Sequence, residues 1–226
     1  MERLACPQHG TVALDVCCGT GDVALAMARA GADVVGVDFV NPMLSLARSR
    51  ARAGGFEQRC DGFEFQPQPS NQGRLEKTSP CANGAGGSIA FVQADALRIP
   101  VANDQIDVVT MSYGLRNLAN FRGGLSEAHR VLKPGGRFVI LDFGKPGNAV
   151  WRKIYFGYLG LLVPFFGRVF CSDADAYAYI LESLHHYPGQ ESVAEMLTGC
   201  GFEKTRTINI LGGVMSLVYG TKTETA

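Results

Sequence analysis

Net charge is the first thing this 226-residue chain lacks: 21 lysines and arginines meet 21 aspartates and glutamates, for a formal charge of +0. Without a basic excess there is no electrostatic footprint for nucleic acid, and none is expected as a partner. The chain also has no run long enough to cross a bilayer. Its most apolar segment, Ile154 to Phe166 ("IYFGYLGLLVPFF"), is thirteen residues long, contains Pro164, and is flanked by Arg152, Lys153 and Arg168. The seven cysteines (Cys6, Cys17, Cys18, Cys60, Cys81, Cys171 and Cys200) show no paired C-x-x-C spacing. They are also too sparse for a secreted disulfide scaffold, so a reducing cytoplasm and no metal are expected. Adjacent Cys17 and Cys18 read as small residues near a ligand rather than a redox pair. Met1 to Gly10 lacks the apolar core of a signal peptide.

What is present is enough for one folded unit. With 46% hydrophobic residues, the chain can bury a full core as a single domain over 1–226, and a second domain is not expected. Apolar runs near 11–17, 33–38, 89–94, 106–112 and 136–143 read as strands, with helical patterns near 21–30, 41–53 and 121–132 between them. This alternation predicts an α/β fold, a mostly parallel sheet with helices on both faces. "LKPGG" stops the third helix, at Pro134 and Gly135. A helix from Gln190 to Cys200 precedes two further strands, Thr205 to Leu211 and Val214 to Gly220. The Gly212-Gly213 pair between those strands predicts a hairpin, hence a seven-stranded sheet whose last strand is antiparallel. Gly54 to Gly87 is rich in Gly, Pro, Gln, Ser and Asn and reads as a poorly ordered surface insertion without a catalytic role.

The chemistry concentrates in "LDVCCGTGD", Leu14 to Asp22. A buried strand runs into a helix there, so Gly19 and Gly21 sit at a turn where a backbone can approach a ligand and the helix start leaves amides free. Asp38 closes the next strand, "VVGVDF", 17 residues beyond Gly21, where a carboxylate can accept both hydroxyls of a ribose. A dinucleotide fingerprint tolerates Ala24 in its third glycine position. However, Asp15 opens the motif and Asp22 closes it, and two carboxylates suit a cation better than a pyrophosphate. S-adenosylmethionine, with a sulfonium, an ammonium and no phosphate, fits that pattern.

Several segments together resemble one family, the S-adenosylmethionine-dependent C-methyltransferases of ubiquinone and menaquinone biosynthesis. They are "LDVCCGTGD", "VVGVDFVNPML", "FVQADALRIP", "DVVTMSYGLRN", "EAHRVLKPGGRFVILDFGKP", "DADAYAYILESLHHYP" and "LTGCGFEKTRTINILGGVMSLVYG". The first alone indicates a class I methyltransferase with a Rossmann-like fold; "YGLRN" with "RVLKPGGRFVILDF" is narrower. The family's second signature usually closes with Glu and Ser, where this chain has Asp142 and Gly144. Family members usually carry several tens of residues before the first strand, including helices that help close the site. About ten precede it here, so either the reading frame begins too far downstream or the pocket is more open.

The resemblance implies roles by position. Thr20 lies in the glycine loop, Asp38 holds the ribose, Asp95 and Ala96 bracket the adenine, and Ser112 ends the fourth strand. Tyr113, Arg116 and Asn117 of "YGLRN" lie beside the cofactor methyl. A structural ion pair is the alternative for Arg116, and a helix cap the alternative for Asp95. Tyr177, Tyr179, His185, His186 and Tyr187 form a second cluster, in which His185 titrates in the range useful for proton transfer. The reaction implied is methylation of a ring carbon of a reduced polyprenylated quinone, demethylmenaquinol to menaquinol. The partner is then a lipophilic quinol, and residues 149–187 form a substrate lid able to touch a membrane surface. A homodimer is left open. Rival readings are another lipophilic or small acceptor, a weakly catalytic cofactor-binding partner in a quinone-synthesis complex, and, more distantly, a dehydrogenase.

Overall fold

The computed structural model describes residues 9–56, 63–66, 74–77, 87–158, 183–184 and 186–224. In chain order the main elements are β1 (Val12–Val16), α1 (Asp22–Arg29), β2 (Asp33–Asp38) and α2 (Asn41–Ala53). Next come β3 (Phe63–Gln66), β4 (Arg74–Lys77), β5 (Ile89–Gln93) and β6 (Ile106–Ser112). α3 (Phe121–Val131), β7 (Leu132–Phe143), α4 (Ala149–Gly157), α5 (Gln190–Gly199), β8 (Phe202–Ile210) and β9 (Met215–Lys222) follow.

Seven strands form one sheet in the order β5-β2-β1-β6-β7-β9-β8. The first four junctions are parallel, with Val12 opposite Asp33, Ala13 opposite Val108, Val34 opposite Ile89 and Val109 opposite Phe138. β9 enters antiparallel between β7 and β8, as the glycine pair after β8 predicts. The turn itself is a 3-10 segment, Leu211–Gly213, in which all three residues have positive φ. β7 begins earlier than its apolar run: Leu132 pairs with Ile106, and the register then shifts across the "KPGG" residues before Arg137 pairs with Val108.

Both sheet faces are covered, which is why the central strands are nearly continuous apolar runs. Ala13 and Val34 point into one core with Leu25 and Met27 of α1 and Leu44 and Ala47 of α2. Leu14, Val16 and Val35 point into the other with Leu125 and Ala128 of α3 and Val193 and Leu197 of α5. Between Gly54 and Gly87, where no regular elements are expected from composition, β3 and β4 pair as an antiparallel ribbon separate from the main sheet. Part of the apolar run at 154–166 continues α4; residues 159–182, including Tyr177 and Tyr179, lie outside the described residues, as does His185.

The strand order reverses at β1, so the carboxyl ends of β1 and β6 diverge into helices on opposite sides and leave a crevice. All the candidate cofactor residues are at that edge of the sheet.

Candidate active site

The loop after β1 is shaped by backbone constraints. Cys17 and Gly19 adopt positive φ of 56° and 52°, and Gly21 reaches 82° as the residue before α1. A side chain on Gly21 would bring its Cβ to 2.9 Å from Phe91 Cζ and 3.2 Å from Ala47 Cβ. A Cβ on Gly114 would lie 2.5 Å from that of Cys17, so the turn after β6 packs directly on the loop. Gly21 has no side chain to cap α1, and the cap comes from below instead: Asp15 Oδ2 accepts from the Ala24 amide at 3.1 Å while Oδ1 accepts from Thr110 Oγ1 at 2.7 Å. Asp15 is 1% exposed, and burial pushes its carboxyl up to about 7, against the pull of the Thr110 and Ala24 bonds.

This placement corrects the electrostatic reading of the motif. Asp15 lies beneath the loop and does not line the cavity, because its oxygens are taken up by the helix start and by β6. Asp22 turns outward to Arg50, whose Nη1 also donates to Thr20 O and Thr20 Oγ1 at 3.0 and 2.9 Å. The Arg50 and Thr20 bonds hold the Asp22 carboxyl down at about 2. Neither carboxylate therefore lines the cavity, and Thr20 serves to tie the loop to α2.

Six of the remaining candidates converge, while Gly21 shapes the loop without lining the cavity. A cavity of about 630 Å³ is lined by Gly19, Asp38, Asp95, Ala96, Tyr113 and Asn117, together with Cys17, Phe39, Val40, Met43, Leu97 and Leu118 among others. Asp38 is pinned by two amides, Oδ2 accepting from Gly19 at 2.7 Å and Oδ1 from Val40 at 2.9 Å. The carboxylate keeps lone pairs beyond these two bonds, enough to receive vicinal hydroxyls. Asp95 Oδ1 accepts from the Leu97 amide at 2.9 Å and so closes a turn, where no helix begins for it to cap, and Asp95 also faces the cavity. Ser112 ends β6 one residue before Tyr113 and is not among the lining residues.

The apolar wall formed by Phe39, Val40 and Met43 was not among the expected site residues. These are exposed apolar side chains, Phe39 72% so, directly after the Asp38 carboxylate. An apolar dipeptide following a strand-terminal acid was the legible signal for a surface that receives the faces of a flat ring. Backbone close approach, a carboxylate with free lone pairs and this wall together fit an adenosyl group.

Tyr113, Arg116 and Asn117 separate into two positions. Tyr113 and Asn117 face the cavity, and Asn117 Nδ2 donates to Tyr113 O at 3.3 Å. Tyr113 has φ 54°, and its backbone N–H donates a hydrogen bond to Leu141 O at 2.7 Å. Arg116 turns the other way: Nη1 donates to Asp142 Oδ1 at 2.7 Å, and its amide donates to Asp142 Oδ2 at 3.3 Å. Its guanidinium lies over the Tyr113 and Phe143 rings at 5.7 and 5.0 Å. The ion pair is buried, with side-chain exposures of 9% for Arg116 and 0% for Asp142. Burial pushes the Asp142 carboxyl up while Arg116 pulls it down.

No group of three or more potential metal ligands occurs among the described residues. No helix among them is long and apolar enough to cross a membrane.

Comparison with known proteins reaches the same crevice from another direction. Residues 70–222 match the model of the ubiE/COQ5 methyltransferase family, and residues 13–72 match a general methyltransferase domain. The ubiquinone/menaquinone biosynthesis C-methyltransferase UbiE of Azotobacter vinelandii is 34% identical over 218 residues, covering 95% of this chain and 75% of that protein. The demethylmenaquinone methyltransferase of Anoxybacillus flavithermus is 30% identical, covering 96% of this chain and 80% of that protein. Among solved structures, a SAM-dependent methyltransferase from Aquifex aeolicus matches with a TM-score of 0.59 at 15% identity over 95% of this chain and 84% of that one. Phosphoethanolamine N-methyltransferase 2 of Haemonchus contortus, in complex with S-adenosyl-L-methionine, matches with a TM-score of 0.63 at 14% identity over 99% of this chain and 51% of that one. At those identities the structures speak for the fold, and the sequence relatives for the family. With a reversing parallel sheet, a glycine loop packed on Asp38 and this match along most of its length, the chain belongs to the ubiE/COQ5 family of S-adenosylmethionine-dependent methyltransferases.

Proposed function

We propose that this protein methylates a ring carbon of a reduced polyprenylated quinone, with demethylmenaquinol as the acceptor and S-adenosylmethionine as the donor. The observation that carries the reading is a single cavity running from Asp38 and Asp95 to the Tyr113–Asn117 turn, in a chain whose relatives bear the names of quinone C-methyltransferases. Asp38 would hold the ribose, Asp95 and Ala96 the adenine, and Gly19 the close backbone approach, with Thr20 fixing the loop and Ser112 the strand end.

The cofactor supplies a methyl group made electrophilic by its bond to a sulfonium. An oxidised quinone ring is electron-poor, so the nucleophile is the quinol. Loss of a ring hydroxyl proton drives electron density onto the adjacent carbon, which forms its bond to the methyl as the sulfur–methyl bond breaks. The proton on that carbon then leaves and aromaticity returns. Tyr113 and Asn117 would orient the ring at the cavity. A guanidinium is not the base; Arg116, bonded to Asp142, would act by positioning the Tyr113 ring, over which it lies at 5.7 Å. His185 is our proposed proton acceptor.

α4 supports contact with a lipid surface while the acceptor is received. Val150, Trp151 and Ile154 are exposed on it and Tyr158 directly after it, beside Arg152 and Lys153.

The test is an anaerobic methyl-transfer assay with labelled S-adenosylmethionine and reduced or oxidised demethylmenaquinone. Transfer to the reduced form alone is the expected outcome. Equal rates on both forms, or cofactor binding without transfer to either, would overturn the reading.

A further inference from the structure

Four side-chain polar atoms are buried without any hydrogen-bond partner among the described residues: Arg116 Nε, Tyr155 Oη, Tyr187 Oη and Ser216 Oγ. They are not scattered. Arg116 is bonded to Asp142, and Ser216 is the cross-strand neighbour of Asp142 on β9, so both project from the same face at the carboxyl end of β7. Tyr155 of α4 and Tyr187 lie near enough for the charges of Arg116 and Asp142 to act on both phenols. Tyr187 packs its ring edge-on to Phe121 at 6.4 Å. Tyr113 connects this cluster to the cofactor cavity: its ring lies under the Arg116 guanidinium while the residue lines the cavity.

Unpartnered buried polar groups are rare in folded proteins, because each forfeits its hydration without replacement. A lone hydroxyl is tolerable. Four together, with a buried ion pair among them, are a set of groups with hydrogen-bonding capacity to spare. Arg116 Nε can only donate. Burial pushes the Tyr155 phenol up to about 12 and the Tyr187 phenol further, so both also hold protons to donate. The set therefore suits oxygen acceptors. Because Asp142 takes up Arg116 Nη1 and its amide, the guanidinium is fixed with Nε left over.

We propose that Tyr155, Tyr187 and Arg116 Nε form a site for the ring oxygens of the acceptor, which selects a para-dihydroxy ring over one carrying a single hydroxyl. The inference rests on the proposed quinol methylation and adds the residues that recognise the acceptor. Tyr155 is the only buried residue of α4, so a ligand that engages its hydroxyl also determines how firmly that helix is seated on the sheet. Tyr155 and Tyr187 come from elements outside "YGLRN", and no spacing within that motif points to them.

The experiment measures anaerobic calorimetric binding of 1,4-dihydroxynaphthalene and 1-naphthol to the full chain saturated with S-adenosylhomocysteine. The wild type is expected to favour the diol by about tenfold or more, since a site built to bond a hydroxyl rejects the analogue lacking it. Tyr155→Phe and Tyr187→Phe should each reduce that preference about two- to tenfold. The double variant should bind both compounds alike, with affinity for S-adenosylhomocysteine unchanged. Because the hydroxyls have no internal partner, neither substitution should lower the melting temperature. A melting temperature that drops by many degrees would assign the hydroxyl an internal partner and overturn the proposal. So would a wild type indifferent to the second hydroxyl, or a double variant that keeps the preference. If the diol is preferred through these tyrosines but never methylated, the oxygen site stands and the proposed reaction fails.

Discussion

Asp15 illustrates how one residue can have a role different from the one its motif implies. Its position before the glycines looks like a ligand contact, yet it caps α1 through Ala24 and ties β1 to β6 through Thr110. Its burial has a thermodynamic consequence with a definite sign. The carboxyl rises from an ordinary 3.8 to about 7, so between these values the folded protein keeps a proton that the unfolded chain releases. The stabilising contribution of Asp15 is therefore complete below about pH 4 and is lost as pH rises through about 7. His129 has the opposite sense: burial, then Lys222, push it below its ordinary 6.5, so its contribution is lost as pH falls. Asp15→Asn, a neutral isostere of the protonated acid, should match the wild type at pH 5 and melt a few degrees higher at pH 8. Thermal unfolding across that range checks this, and a variant whose slope equals that of the wild type would show that Asp15 is not the group responsible.

At the scale of elements, the β1–β2–β5 corner is set by close approach. Phe91 of β5 fills the space above two glycines, and a Cβ on Gly36 would lie 2.6 Å from Phe91 Cδ1 and 3.0 Å from Cys18 Sγ. Gly36→Ala should cost about 1–3 kcal/mol by overpacking. Phe91→Leu should recover part of that cost in the double variant, an interaction of about 0.5–3 kcal/mol for contacting residues, read from denaturant unfolding. If the two effects simply add, the ring is not the obstacle. These elements were legible in sequence because each carries its own local signal: continuous apolar runs for β1, β2 and β6, glycines at the turns, and a carboxylate at the end of β2. What was not legible depends on partners distant along the chain. Nothing in "YGLRN" says that Arg116 spends its charge on Asp142, 26 residues later, or that Asp22 meets Arg50 rather than a ligand. The β3–β4 ribbon escaped because a short two-stranded element needs no sustained apolar period. Phe39 and Val40 did carry a signal, following Asp38 directly, but a weak one, because exposed apolar residues are common on any surface.

For the whole molecule, the cavity acts as a shared joint. Gly19 follows β1, Asp38 ends β2, Asp95 follows β5, and Tyr113, Gly114 and Asn117 to Ala119 follow β6, so a ligand filling the cavity would touch the ends of four parallel strands whose pairing forms half of the sheet. Binding to the folded state alone adds stability by mass action, about 2.7 kcal/mol at a ligand concentration 100 times Kd. For a chain of this length each kcal/mol moves the melting temperature by about 2–4 °C, so S-adenosylhomocysteine at that concentration should raise it by about 5–10 °C. Asp38→Ala should remove most of that shift, because it deletes a charged acceptor and also leaves the Gly19 and Val40 amides without their partner. Two charge-assisted hydrogen bonds at about 1.5–3 kcal/mol each correspond to a loss of affinity of at least about 100-fold, enough that the same ligand concentration no longer saturates the site. Asp38→Asn keeps one acceptor oxygen and should fall between the two. A full thermal shift in Asp38→Ala would mean that the apolar wall of Phe39, Val40 and Met43 holds the nucleoside without the carboxylate, and that the ribose lies elsewhere in the crevice.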